Sequence, residues 1–468
     1  MKLRAAIAIV PLSLLLTGCP LTDNYRIQDS LATAGADQGG HSGADSAGGS
    51  GALGGEELGN AGAADAGEFS NGGANVVGGG GGEAAEAGSA NGGSSGGCSI
   101  TCNAPRTCVD DVCTRGWVPM DAPLPQVVAR SKAAAVAMGK SVFIWGGVNV
   151  DGVALNNGAI YDTTTDTWSY LPADPGSPTA RIMATAVWTG ATSNKVIVFG
   201  GTDATGATIY KDGAVFDPVV NMWTGLPANG SISKRSAPYG YWDGTRAVFY
   251  GGLNAVPAVV PGADRFDLNK WSTSTSSGDP GLLGFPATAF DGSVMYLQGG
   301  VIDGVRQDKV FSYTSSTDTW ASLTKGPSAR TGGFGAWDGT HFVVWGGQDD
   351  AGLLADGKTL ASTTWSAMAE SVLTPRRIGF GRSGWAFQVK PGVVALFGGQ
   401  TSTSGSSDTL ATDGATYAVQ SKEWTAIPSW PSAEKHEYGI GVWTGEEFVI
   451  WGGRAQNVAS LKGERWAP

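Results

Sequence analysis

Ser141-Val142-Phe143-Ile144-Trp145-Gly146-Gly147, answered by Trp168, is the phrase whose reading decides the fold. An apolar run ends in a glycine pair, and a tryptophan follows after a polar turn. The phrase recurs to the end of the chain. Its glycine pairs are Gly146-Gly147, Gly200-Gly201, Gly251-Gly252, Gly299-Gly300, Gly346-Gly347, Gly398-Gly399 and Gly452-Gly453. Its tryptophans are Trp168, Trp223, Trp271, Trp320, Trp365 and Trp424. The spacing is roughly fifty residues, long enough for one supersecondary unit that buries its apolar face only by stacking on its neighbours.

Each repeat reads as four strands, a to d. Strand a ends in a turn at Trp188-Thr189-Gly190, Trp242-Asp243-Gly244, Phe290-Asp291-Gly292, Trp337-Asp338-Gly339 and Trp443-Thr444-Gly445. Asp-Gly between two apolar runs predicts a hairpin with a primed turn, which needs positive φ. Strand b, as in Val196-Ile197-Val198-Phe199, is apolar throughout, so both of its faces must be covered. Strand c carries an aromatic residue, as in Gly158-Ala159-Ile160-Tyr161-Asp162. A polar turn such as Thr163-Thr164-Thr165-Asp166-Thr167 then leads to the tryptophan of strand d.

With these elements in register, the chain from Trp117 onward resembles the kelch-repeat β-propellers. The resemblance implies an all-β, seven-bladed kelch-type propeller over 115–468. Blade 5 departs from the pattern, with Lys358-Thr359-Leu360 where the aromatic should stand. Blade 4 also departs, with Leu282-Leu283 where other blades show a basic residue. The last repeat stops at Gly463-Glu464-Arg465-Trp466, a strand c without its strand d. Gly116-Trp117-Val118-Pro119-Met120 reads as the missing strand, which predicts closure of blade 7 by an N-terminal strand. Six blades with a spare repeat is the alternative.

Ahead of the repeats, Met1-Lys2-Leu3-Arg4 and the apolar run Ala5 to Leu16 form an export signal over 1–18, too short for a stable membrane span. Leu16-Thr17-Gly18-Cys19 resembles the bacterial lipobox, which implies lipid attachment at Cys19, fatty acylation included. Pro20 rather than Asp after it implies the outer membrane. Residues 19–97 are Gly-, Ala- and Ser-rich with scarcely an aromatic, which predicts a disordered tether. Cys98, Cys102, Cys108 and Cys113 follow within 98–114. Their spacing differs from zinc-ribbon pairs, and export places them in an oxidising compartment, which predicts two disulfides of open connectivity.

The formal charge of -11 argues against nucleic acid or an anionic membrane surface as a direct partner. The tryptophans fill repeated positions and read as core. Trp385 and Trp430, outside the register, are better candidates for stacking on a sugar. A second recurrence is basic: Arg130, Arg181, Arg235, Arg330, Arg376 and Arg377 precede strand a, with His436 in the seventh place. The loops on that face carry Asp151, Asp203, Asp303, Asp349 and Asp350. Two readings stand side by side, a set of Arg–Asp pairs fixing the blades and a ligand-binding rim suited to carboxylates.

Copper-oxidase chemistry of the kelch type is disfavoured because no cysteine lies in the repeats, and no nucleophile–base constellation, P-loop or zinc motif is present. The sequence therefore predicts a lipid-anchored, non-catalytic binding propeller for protein or carbohydrate ligands at the cell envelope. It is expected to be monomeric, to touch the membrane through its lipid alone, and to carry neither cofactor nor metal. The alternative is a carbohydrate-modifying enzyme of the same architecture, similar to the sugar epimerases and mutarotases.

Overall fold

The computed structural model describes residues 107–109, 112–114, 116–254, 258–378, 384–403, 409–431, 437–455 and 458–468. The export signal, Cys19, the tether, Cys98, Cys102 and His436 lie outside them. Seven four-stranded antiparallel sheets follow one another as blades. Blade 1 runs through Ala134–Met138, Ser141–Trp145, Gly158–Asp162 and Thr167–Leu171 as strands a to d. Blade 7 takes Ile440–Trp443, Phe448–Trp451 and Gly463–Trp466 from the end of the chain. Its fourth strand is Trp117–Pro119, which pairs Trp117 with Trp466 and Val118 with Arg465. The expected closure is thus the observed one, and blade 7 keeps no free outer edge beside its third strand. Before the propeller, Thr107–Val109 and Val112–Thr114 form a small hairpin whose register sets Cys108 opposite Cys113.

The blades form as they do because strand b is apolar on both faces. Phe143, Ile144 and Trp145 are fully buried, as are Phe448 to Ile450. The strand d tryptophan completes the sandwich. Trp168 packs on Tyr161 of its own blade (ring centroids 4.9 Å) and on Trp451 of the preceding one (5.2 Å). Trp223 and Trp271 repeat this on Trp145 (5.7 Å) and Phe199 (4.9 Å). In blade 5, Leu360 takes the aromatic's place and is buried opposite Trp365.

The glycine pair is required by close approach. A Cβ on Gly147, at φ 89°, would fall 2.6 Å from the Ser131 carbonyl oxygen. In the a–b turns the glycine takes the positive φ expected, as at Gly244 (94°), which a primed turn demands at its first central position. The aspartate before it accepts two backbone N–H groups, Asp243 from Thr245 (2.8 Å) and Arg246 (2.6 Å), so its carboxylate organises the turn.

Neighbouring blades are joined near the channel by two kinds of backbone hydrogen bond. The second glycine of one pair donates to the carbonyl of the next blade's arginine: Gly147 to Arg181 (2.9 Å), Gly201 to Arg235 (2.8 Å), Gly300 to Arg330 (2.7 Å) and Gly347 to Arg376 (2.9 Å). Two residues beyond each arginine, N–H groups donate around the channel, Met183 to Lys132 (3.0 Å), Ala237 to Met183 (2.8 Å) and Gly332 to Phe285 (3.1 Å). The junction of blades 7 and 1 carries both, Gly453 to Arg130 (2.8 Å) and Lys132 to Tyr438 (2.9 Å). The junction of blades 3 and 4 carries neither among the described residues, and its inner strands barely meet. Tyr241 lies there against Phe290 (centroids 4.1 Å), and Leu283 stands in the arginine's place.

Candidate functional site

The arginines before strand a are the first chemistry to place. Arg130, Arg181, Arg235, Arg330 and Arg376 are at most 1% exposed. Each guanidinium turns into its own blade and donates to the carbonyl of the first glycine of the pair: Arg130 to Gly146 (3.1 Å), Arg181 to Gly200 (3.0 Å), Arg235 to Gly251 (2.6 Å), Arg330 to Gly346 (2.9 Å) and Arg376 to Gly398 (3.3 Å). Their side-chain partners are not the loop aspartates expected. They are Asn157, Asp212, Asp356 and Asp413, each immediately before the glycine that opens strand c, and Asp264 within it. Burial lowers Arg130 to about 10, which leaves it charged at neutral pH.

Four of the loop aspartates are engaged elsewhere, Asp151 with Asn149 (3.2 Å) among them. Asp203 caps its own loop through Thr205 (3.0 Å) and Thr208 (2.9 Å), Asp349 does so through Ala351 (2.9 Å), and Asp350 pairs with Arg306. Trp385 and Trp430 are also inside, packed with Phe397 and Phe448. Neither offers an open face to a sugar. Gly441 opposite Trp385 has no side chain because a Cβ there would lie 2.2 Å from the indole.

What differs between blades is the next position. The residue after each arginine position bridges to the residue after the glycine pair, and these couples ring the channel mouth. In blades 1 to 4 they are Ser131 with Val148, Ile182 with Thr202, Ser236 with Leu253 and Gly284 with Val301. In blades 5 to 7 they become Thr331 with Gln348, Arg377 with Gln400 and Glu437 with Arg454. Arg377 is thus the one expected rim residue that stands at the mouth. It donates to Gln348 Oε1 (2.6 Å) and the Thr403 carbonyl (3.2 Å).

Arg454 is braced rather than saturated. Its Nε lies 3.4 Å from Glu437, and its guanidinium lies 4.5 Å from the centroid of the Tyr438 ring. Lys132 of blade 1 lies 4.5 Å from the same ring. The terminal nitrogens of Arg454 carry no hydrogen bond to the described residues, and Gln400 Nε2 is buried without a partner among them. Among the described residues Lys132, Arg377 and Arg454 stand with Glu437 on these blades, within a chain of net charge -11. Such a site donates hydrogen bonds to an acceptor that brings negative charge. Among the described residues no cluster of three His, Cys, Asp or Glu could hold a metal ion.

The fold defines a seven-bladed β-propeller, and a kelch-repeat model, the KLHDC2/KLHL20/DRC7 Kelch-repeats domain, matches residues 92–252. Propellers of this kind commonly mediate protein interaction. The N-(sulfonatooxy)prop-2-enimidothioate sulfolyase of Thlaspi arvense is 25% identical over 264 residues, covering 50% of this chain and 74% of that protein. The solved structure of YjhT aligns with a TM-score of 0.47 and 18% identity, over 65% of this chain and 99% of YjhT.

Proposed function

We propose that this chain is a lipid-anchored binding propeller of the cell envelope, attached through Cys19, that holds a protein or glycan ligand at its channel mouth without transforming it. One observation carries the reading: the seven-fold pattern breaks at the mouth, in blades 5 to 7, where donors of Gln400 and Arg454 without a partner among the described residues collect. Arg377 stays in this reading as a rim residue, and the five buried arginines serve the architecture. The test compares the propeller with its Arg454→Ala variant for retention of envelope proteins and arrayed glycans. Retention lost at an unchanged melting temperature supports the reading, and equal retention by the variant overturns it.

A second reading rests on Glu437, a carboxylate beside Arg454 at the same mouth, and on the enzymatic name of the Thlaspi arvense relative. It takes the site for a sugar epimerase or mutarotase. Solvent deuterium entering a carbon of an arrayed sugar, for an epimerase, or accelerated exchange between its anomers by NMR, for a mutarotase, either one lost in Glu437→Gln, is the outcome that would replace binding by catalysis.

A further inference from the structure

The mouth is charged on one side only. In a ring of seven, blade 4 faces the junction of blades 7 and 1 across the channel, and blade 4 presents carbon. Phe285, half-buried at φ 57°, occupies there the position that Lys132 and Tyr438 occupy opposite. Val301 bridges to Gly284 where Arg454 bridges to Glu437. No charged side chain replaces these at the bridging couple of blade 4.

We infer that the mouth takes a small amphipathic anion, with its carboxylate or other oxyanion on Arg454, Lys132 and Gln400 and its apolar body against Phe285 and Val301. This rests on the proposed binding role of the mouth and adds the class of ligand. The charge side supplies what an oxyanion needs, a braced guanidinium whose terminal nitrogens carry no hydrogen bond to the described residues, an ammonium and a buried amide donor. It repels a cation of the same shape. The carbon side gains by covering apolar surface already partly withdrawn from water.

Isothermal titration and ligand-observed NMR with acetate, hexanoate and hexylamine test this on the intact chain. Hexanoate should bind at least about tenfold more tightly than acetate, because its extra methylenes are buried, and hexylamine should not bind. Arg454→Gln should weaken both carboxylates at least about tenfold. Phe285→Asn, which keeps a residue tolerant of positive φ, should erase the advantage of hexanoate and leave acetate unchanged. Val301→Thr, nearly isosteric, should reduce that advantage if the Phe285 variant does not fold. Equal affinity for acetate and hexanoate overturns the amphipathic class while the binding site stands. Binding of hexylamine, or carboxylate binding indifferent to Arg454, overturns the site together with the inference.

Discussion

Two junctions of the ring invert what covalent connection leads one to expect. Three strands of blade 7 come from the far end of the chain and only Trp117–Pro119 links it covalently to blade 1, yet both backbone bonds of the regular pattern form between the two blades. Blades 3 and 4 are consecutive in sequence and form neither. Both share a clamp at the far end from the mouth. Arg465 of blade 7 donates to the Thr163 carbonyl (2.7 Å) and Asp166 (3.0 Å) of blade 1. Arg265 of blade 3, at the same place in strand c, donates to Tyr313 (3.1 Å) and Asp318 (3.2 Å) of blade 4. Tightness is therefore set by side-chain size and hydrogen bonding at the inner strand. Tyr239 and Tyr241 occupy the inner strand of blade 3 where blade 4 has Ala287 and Ala289, and the blades part around them.

The largest effect should come from the closure itself. Trp117 packs on Phe397 (5.1 Å) and Phe448 (6.2 Å), and its indole donates to the Pro428 carbonyl (2.7 Å). Trp117→Ala should cost about 3–5 kcal/mol in urea unfolding. A loss below about 1 kcal/mol would show that strand pairing alone closes the ring.

Next come the clamps. Arg265→Met and Arg465→Met each leave carboxylates and carbonyls without their donor, at about 2–4 kcal/mol. Arg265→Met should be the worse of the two, because blades 3 and 4 lack both regular backbone bonds. Equal losses would mean that the missing bonds matter little and that the apolar contact of Tyr241 with Phe290 holds the junction.

The same contrast explains what could be read beforehand. Glycine pairs, strand d tryptophans and the orphan strand at Trp117 repeat with the blade, and repetition is visible in a sequence. The arginines repeat too, which was itself the sign of architecture. Their spacing gave the correct end of the blade but not the direction of the side chain. Their partners were also marked, as Asp or Asn directly before the glycine of strand c at Asn157, Asp212, Asp356 and Asp413. The mouth was harder to see. Gln348, Gln400, Glu437 and Arg454 matter because they break a pattern that only the bridge register reveals. Glu437 and Arg454 lie seventeen positions apart in sequence and meet only through that bridge.

A smaller effect is expected at blades 4 and 5. The last residue of strand b is aromatic in blades 1, 2, 3, 5 and 7 (Trp145, Phe199, Tyr250, Trp345 and Trp451), but it is Gln298 in blade 4. Gln298 is fully buried, and both its amide atoms lack partners among the described residues. Gln298→Met keeps the shape and removes both orphans, so it should stabilise by about 1 kcal/mol, read as a higher urea midpoint at unchanged slope. A lower midpoint would show that the amide is satisfied by water, and that junction would then resemble the regular ones.

The smallest effect returns to blades 3 and 4 and depends on pH. Asp279 Oδ1 accepts from Gly281 N–H (2.6 Å), while its Oδ2 is buried without a partner among the described residues. Burial raises this carboxyl above the ordinary range, outweighing the lowering by the Gly281 N–H and by Arg235. The Tyr250 hydroxyl, pushed up first by burial and then by Asp279, offers no negative charge at neutral pH. For a group raised on folding, the stabilising contribution is complete below its unfolded value, near 3.9, and is lost as pH rises through the folded value. Asp279→Asn removes the ionisation and keeps an acceptor for Gly281. Its melting temperature should therefore match the wild type near pH 4 and exceed it by a growing margin toward pH 7. The same margin at every pH would mean that Asp279 is as well solvated as a surface carboxylate. The gap between blades 3 and 4 would then be open to water rather than packed around its tyrosines.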